Sequence, residues 1–445
     1  MYYIIETQEQ LDKFSQYDFT NCFVDIIMMN DHIHPNLSQP SLIYIKPFRS
    51  RAGFMLCIDH NETLKLPLES AIALLRDKIG QIYAVDAKRL RYFLNRNNSV
   101  FCIKTGKFIY SNEIIDESSF NTSAHRYFYS KYEYREDINK IIPVCKHYEK
   151  MEKLISSIGF NQNWFKSRYY KLYGSMAIDV YKKIESNGIK IDRGPFSQHY
   201  KPKSECFSIR KDKIYSSYNL FTATGRPSNA FNGINFSAMN KEDGSRLSFV
   251  SSNDLLIEFD YSSYHLRILA QLIDYQFEEQ DIHTHLGKNY YGKSELTPEE
   301  YHDSKALTFK LLYTDSMAKE LQDIPFFKKV YEFKNQLWEK YKKNGFIESF
   351  ISKRPIKNMD SKTQILPYIL QNYETERNIM IISDLLNILE GRKTKLVLYN
   401  YDSFLFDYSR SDGKEILNEI KDILEQELYF TSCSFGKNYQ DMKKI

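Results

Sequence analysis

The sequence predicts a mixed protein, α/β in its first part and α+β in the rest, with more than one domain. Three observations predict this. Short apolar and β-branched runs alternate with helical stretches over residues 1–110. A strand-like run, LLIEF, changes period at Asp260 and continues as a helix whose apolar residues are Leu266, Leu269, Ala270 and Ile273. Near the carboxyl end, KLVLYNYDSFLFDYS at 395–409 reads as two strands around a tight Asp-Ser turn, with Asp402 at the tip. A chain of 445 residues that is 42% apolar has material for two or three cores.

In order along the chain, the strand candidates are MYYII, CFVDII, SLIYIKP, GFMLCI and IYAV, followed by the helical AKRLRYFL. Residues 110–150 are polar and lack a clean period, apart from a helix near 136–158. Residues 163–187 read as a helix stopped by Asn-Gly at 187–188. The stretch 190–225 is loop-rich and basic, with KPKSE and SIRKDK. SKALTFKLLY at 304–313 is a helix that puts Lys305, Phe309 and Tyr313 on one face. RNIMIISDLLNIL at 377–389 is a further apolar-periodic helix.

Charge and cysteines narrow the setting. The 61 Lys and Arg nearly balance 57 Asp and Glu, so the global sum neither demands nor excludes a polyanion; a local basic surface would decide. The six cysteines form no CxxC pair, which argues against a zinc site or a disulfide scaffold and for a reducing, intracellular location. MYYIIETQEQLDKF turns polar too soon for a cleavable signal, and no run approaches the roughly 20 apolar residues that span a bilayer.

The chemistry-bearing residues fall in the later two thirds. Taken alone, Asp260 is more often a helix cap, and Asp402 an ordinary turn residue. If their strands are neighbours, the two carboxylates meet at one sheet edge and repel unless a divalent cation lies between them. Two Mg²⁺ ions held there, with Mn²⁺ as a substitute, would clamp the entering and leaving oxygens of a phosphoryl transfer. Arg226, His283 and Lys305 are candidate donors to a triphosphate, although a lone histidine is more often structural and a helical lysine more often solvated. Phe309 and Tyr313 offer flat faces to a nucleobase, or form a core stripe.

FTATGRPS, DYSSYHLR, DIHTHLG, KALTFKLLY and YDS, in that order, resemble the motifs of DNA polymerase family A, and GFIESFISKRPI at 345–356 resembles its glycine-started hairpin. The resemblance spans roughly 160–445. It implies a right-hand fold of palm, fingers and a reduced thumb: 151–225 as the thumb and the approach to the palm, 226–280 and 341–445 as palm, and 281–340 as fingers. It implies Asp260, the Tyr261 carbonyl and Asp402 as metal ligands, and His283 and Lys305 on the triphosphate. Arg226 would reach the primer end, Phe309 the sugar and base, Tyr313 the templating position, and Asn235 the nucleic-acid backbone. Primer–template DNA and a dNTP are the implied partners, together with a processivity or replication partner, because the thumb region is short.

The sequence also departs from the family. His265 stands where the family has the glutamate that crowds the sugar 2′ position. Tyr301 replaces an arginine one turn before Lys305, and Thr314 a glycine. YDS replaces HDE, so Tyr401 and Ser403 stand for a donor and an acid. The helix around QNYETERNIMIISD shows no placeable family residue. Residues 1–150 resemble a degenerate ribonuclease H-like 3′–5′ exonuclease domain. Asp25 there is expected to cap or be solvated, and Leu90 replaces an acid, so no proofreading is expected. The main reading is a template-directed DNA polymerase. The alternatives are a non-catalytic nucleic-acid-binding derivative, a template-independent nucleotidyltransferase, and a nuclease using Asp25 and Asp86.

Overall fold

The structure, a computed structural model, describes residues 1–445 apart from 15, 30–33, 61, 96–99, 116–143, 201–211, 232, 314–323, 427–428 and 445. Thr314, Cys206, KPKSE, most of SIRKDK and much of 110–150 lie outside the described residues. The chain divides into two compact units, one of Met1–Tyr218 with Ala230–Val250, the other of Asn219–Asn229 with Ser251–Ile445.

The first unit is built on β1 (Tyr2–Ile5), α1 (Gln8–Phe14), β2 (Asn21–Met28), β3 (Pro40–Pro47), β4 (Gly53–Cys57), α2 (Leu68–Asp77), β5 (Gln81–Ala84), α3 (Ala87–Arg91), β6 (Val100–Cys102) and α4 (Ile103–Ser111). The six strands form one mixed sheet in the order β1-β4-β3-β2-β5-β6. β3 and β4 are buried along nearly their whole length, which explains why they read as continuous apolar runs rather than alternating ones. A three-residue strand such as β6 carries too little periodicity to be seen in sequence. Asp25 neither caps nor faces water: it sits in β2 opposite Tyr44 and is buried. Asp86 caps α3 by accepting from the Arg89 N–H, and its carboxylate pairs with Lys104 at 3.3 Å. Burial works against that charge, but Lys104, Arg89 and Lys88 outweigh it and hold the carboxyl well below the usual range.

Further along, α5 (Val144–Ser157) packs Leu154 into the aromatic cluster of Phe23, Tyr83 and Trp164. The helix expected over 163–187 is broken by a π turn, Lys171–Met176, before α6 (Ala177–Asn187), and ends as expected at Gly188, whose φ of 65° suits glycine. Glu185 of α6 is buried and accepts from Lys88 Nζ and the Tyr218 N–H, both at 2.7 Å. Asn235 lies in this unit, on a two-residue strand, Ile234–Asn235, and accepts from the Ser237 hydroxyl.

The second unit holds the elements that carry the remaining candidate residues. They are β7 (Leu255–Tyr261), α7 (Tyr264–Leu272), α8 (Ile282–Tyr291), α9 (Pro298–Tyr313), α10 (Pro325–Asn344), β8 (Ile347–Glu348), β9 (Pro355–Ile356), α11 (Ile365–Ile388), β10 (Lys395–Asn400), β11 (Ser403–Tyr408), α12 (Glu415–Leu424), β12 (Thr431–Gly436) and β13 (Lys443–Lys444). Five strands form an antiparallel sheet in the order β10-β11-β7-β12-β13. Gly345 ends α10 in the left-handed region, with its N–H on the Tyr341 carbonyl, and leads into the β8–β9 hairpin. α11 starts twelve residues earlier than the apolar pattern suggests, and packs against α7, α9, α10 and α12. The tight turn joining β10 to β11 consists of Tyr401 and Asp402, because Asn400 pairs with Ser403; it is shifted by one residue from the expected Asp-Ser.

Among the described residues no helix is long and apolar enough to cross a membrane. Phe406, on β11, is fully buried and meets Phe259 of β7 edge-on with ring centroids 5.9 Å apart. Phe406→Ala is expected to cost the second unit about 3–5 kcal/mol, read as a lower denaturant midpoint for its unfolding transition.

Candidate active site

The central strand β7 decides the question raised by Asp260. That residue lies within the strand, in register with Ser403 on one side and Ser432 on the other. The helix that follows is preceded by Ser263, which occupies the cap position in a left-handed conformation (φ 54°). Asp260 is therefore three residues too early to cap α7, and the capping reading falls.

Asp402 comes to the same edge through the turn. The Tyr261 N–H donates to the Asp402 carbonyl at 2.9 Å, so Asp260, on β7, and Asp402, in the turn before β11, stand at the same end of the sheet. The turn holds Tyr401 at φ 64°, an uncommon conformation for a residue with a side chain. Asn378 Nδ2 secures it by donating to the Tyr401 carbonyl at 2.7 Å. Asp402 is solvent-exposed but closely surrounded. Burial of its carboxyl, and then the charge of Glu374, push its pKa above the usual aspartate range, while Arg226 and His265 pull the other way.

A cavity of about 260 Å³ is lined by Arg226, His265, His283, Lys305, Phe309 and Asp402, with Glu374 in its wall. On α9, Ser304, Thr308 and Leu312 face the interior, which turns Lys305 and Phe309 towards the cavity. Tyr301 stands under Lys305, with the ammonium 4.6 Å from its ring centroid, and its hydroxyl donates to Asp281 at 2.9 Å. Burial and then the Lys305 charge push the His283 imidazole down to about 4, so at pH 7 it is a neutral donor rather than a cation. Its Nδ1 is buried without a protein partner. Lys305 and His283 also line a second, larger cavity of about 700 Å³ on the β12 side, which contains Arg267, Lys421 and Lys444.

Sequence reasoning missed the residue at the centre. Glu374 of α11 is 1% exposed, accepts from His265 Nε2 at 2.6 Å, and lies 3.4 Å from Arg226 Nη2. His265 Nδ1 is 3.4 Å from the Tyr313 hydroxyl. Arg226 also lies over the Tyr401 ring at 3.6 Å. Around Glu374, Asn372, Thr375, Glu376, Arg377 and Asn378 are all buried. Asn372 donates to the Thr224 carbonyl, Glu376 accepts from the Ser352 N–H and hydroxyl, and Arg377 donates to the Tyr261 and Tyr264 hydroxyls. One signal was available: QNYETERN is a polar run inside an otherwise apolar helix, and a helix buried all round must supply partners for such residues.

The structure thus brings Arg226, Tyr261, His265, His283, Lys305, Phe309 and Asp402 to one cavity, adds Tyr313 through His265, and sets Asp260 beside Asp402 on the adjoining strand. Asn235 belongs to the other compact unit. Among the described residues no group of three or more His, Cys, Asp or Glu side chains could hold a metal. Any ion here would depend on two carboxylates and backbone oxygen.

Comparison with known proteins bears on the family and the fold. The sequence model of the family described as DNA polymerase family A matches residues 196–434, more than half of the chain. A solved structure, the POL domain of Pol1 from M. smegmatis in complex with DNA primer-template and dNTP, superposes with a TM-score of 0.72 at 12% identity, covering 99% of this chain and 100% of that one. At that identity the likeness is one of fold.

The raised pKa of Asp402 has a consequence for stability. With the folded value above the unfolded one, the ionised carboxylate destabilises the metal-free fold at neutral pH, and the penalty fades as pH falls through the folded value. Asp402→Asn is therefore expected to leave the melting temperature at pH 7, measured without divalent ions, unchanged or raised. A clear drop would contradict the electrostatic reading.

Proposed function

This chain belongs to DNA polymerase family A, and on that premise we propose that it adds deoxynucleotides to a primer 3′-hydroxyl under the direction of a template. The observation that carries the proposal is the backbone hydrogen bond from Tyr261 to Asp402, which sets the strand of Asp260 against the turn of Asp402, next to a cavity that Asp402 lines together with Arg226, His283 and Lys305. Primer–template DNA and a dNTP are the proposed partners; the M. smegmatis structure contains both. In this reading 226–280 and 341–445 act as palm, 281–340 as fingers and 151–225 as a short thumb, whose grip on the duplex would depend on a further processivity partner.

The donor set fits a hard divalent cation. Two carboxylates and the Tyr261 carbonyl are oxygen ligands, and such a sparse set suits Mg²⁺, which keeps waters and substrate phosphates in its shell, with Mn²⁺ as a substitute. Burial and then the Glu374 charge raise the pKa of Asp402, and a bound cation would offset both. Two such ions, when bound, lower the pKa of the primer hydroxyl and neutralise charge on the phosphorus under attack. The protein's own groups do the rest. Lys305 gives the triphosphate a fixed positive charge, and neutral His283 gives it one N–H. Arg226, held between Glu374 and Tyr401, presents its guanidinium to the primer side, and Phe309, exposed on α9, offers its ring to the base and sugar.

Residues 1–150 are proposed to be an exonuclease-derived scaffold without proofreading. Support comes from the use of Asp86 as a helix cap paired with Lys104, and from Leu90 packed in the core.

Primer extension tests the proposal. A primed template with dNTPs and Mg²⁺ is expected to be extended, and Asp260→Asn or Asp402→Asn to abolish extension while the primer–template still binds. Full activity in either variant would refute the assignment. Lys305→Ala removes a charged phosphate contact of about 1.5–3 kcal/mol, expected as a roughly 10- to 100-fold fall in kcat/KM for the dNTP. Because His283 titrates at about 4, the pH profile of extension between pH 5 and 8 is expected to be the same in His283→Gln as in the parent, at a lower rate.

A further inference from the structure

Glu374 is a charge at a dry position. Its carboxylate is 1% exposed on a helix that packs against four others, where an apolar side chain would meet no desolvation cost. Both oxygens are committed: one accepts from His265 Nε2 at 2.6 Å, the other lies 3.4 Å from Arg226 Nη2. A carboxylate only accepts, so Nε2 of His265 carries the hydrogen, and Nδ1 has the Tyr313 hydroxyl as its partner 3.4 Å away. The ring is thereby held at both nitrogens, and its hydrogen-bonding capacity is used up.

We infer that Glu374 is a positioning residue that sets sugar selectivity, by fixing His265 as a wall with no free donor or acceptor for a ribose 2′-hydroxyl. The inference rests on the polymerase reading of this cavity, with the nucleotide sugar beside His265. A ring free to swing could make room for one more oxygen or bond to it. A ring saturated on both sides forces that hydroxyl to be buried without a partner. The anion and the wall come from positions 109 residues apart, on α11 and α7. Their dependence on each other is therefore a matter of tertiary structure and can be tested by breaking one side at a time. A pocket that rejects a nucleotide only for an added hydroxyl discriminates by roughly 100-fold, so the effect sought is well within reach of measurement.

The test uses the full chain, Mg²⁺ and a primer ended in a 3′-dideoxynucleotide opposite a templating dT. Equilibrium binding of dATP and of ATP is measured, followed by single-turnover incorporation on an extendable primer. The parent is expected to prefer dATP. Glu374→Gln keeps the shape but removes the charge, and is expected to lower the dATP:ATP preference by roughly tenfold or more. His265→Gln should do the same, and the double variant no more than either alone. Glu376→Gln is the control: that carboxylate is buried on the same helix but accepts from Ser352, at 2.8 and 2.6 Å, so it should lower the melting temperature without moving the ratio. If Glu374→Gln fails to fold, Glu374→Asp, which keeps the charge but withdraws it by one methylene, should give an intermediate ratio. An unchanged ratio in a folded Glu374 variant, an equal fall in Glu376→Gln, or a parent without preference would each overturn the inference. A parent that binds dATP selectively but extends no primer would instead refute the polymerase reading, and the binding ratio in Glu374→Gln would then decide separately whether Glu374 sets the sugar preference of the cavity.

Discussion

A helix that buries amides, carboxylates and a guanidinium within a single stretch must find each of them a partner, and the second unit is arranged around that demand. Between Asn372 and Asn378, α11 exposes almost no polar atom to water, yet its side chains reach the loop carrying Thr224 and Arg226, the hairpin loop at Ser352, the strand end at Tyr261, and the turn at Tyr401. These are the segments that carry the candidate residues. The cost of leaving any of those groups unpaired in a low-dielectric interior is what ties loop, hairpin, strand and turn to one rigid reference.

The departures from the family pattern that the sequence resembles each sit against a particular neighbour. Tyr401 stands where the family has a donor, and its ring lies against Arg226 while its carbonyl is held by Asn378. Tyr301 brings no charge, but it supports the Lys305 ammonium with its ring and fastens the start of α8 through Asp281. Ser403 is the register partner of Asp260, a position where a second acid would have crowded the carboxylates further. His265 stands against the buried carboxylate of Glu374, 2.6 Å from its Nε2. Among the described residues, Tyr401, Tyr301 and His265 each have a neighbour that makes use of them.

Much of this was legible before the structure. The period change at Asp260, the strand–turn–strand around Asp402 and the spacing of Lys305, Phe309 and Tyr313 are local signals, and local signals survive in a single sequence. What was not legible is non-local. Glu374 meets His265 across 109 residues, and although the polar run QNYETERN inside an apolar helix hints at buried polar groups, nothing in it names their partners. The amphipathic pattern that usually announces a helix is weak in the first part of α11, which is buried nearly all round, so the apolar period alone placed its start too late. Asp25 was misjudged for a similar reason: a carboxylate inside a strand is read as exposed unless its partners are known.

The left-handed backbone of Tyr401 bears on how this protein could change under selection. Glycine or asparagine would suit the φ of 64° better than any aromatic residue, so substitutions to them would relax the turn. Either one, however, removes the aromatic face beneath the Arg226 guanidinium. Mutational tolerance at 401 is squeezed between the dihedral and the guanidinium, and phenylalanine is the replacement that gives up least on both counts.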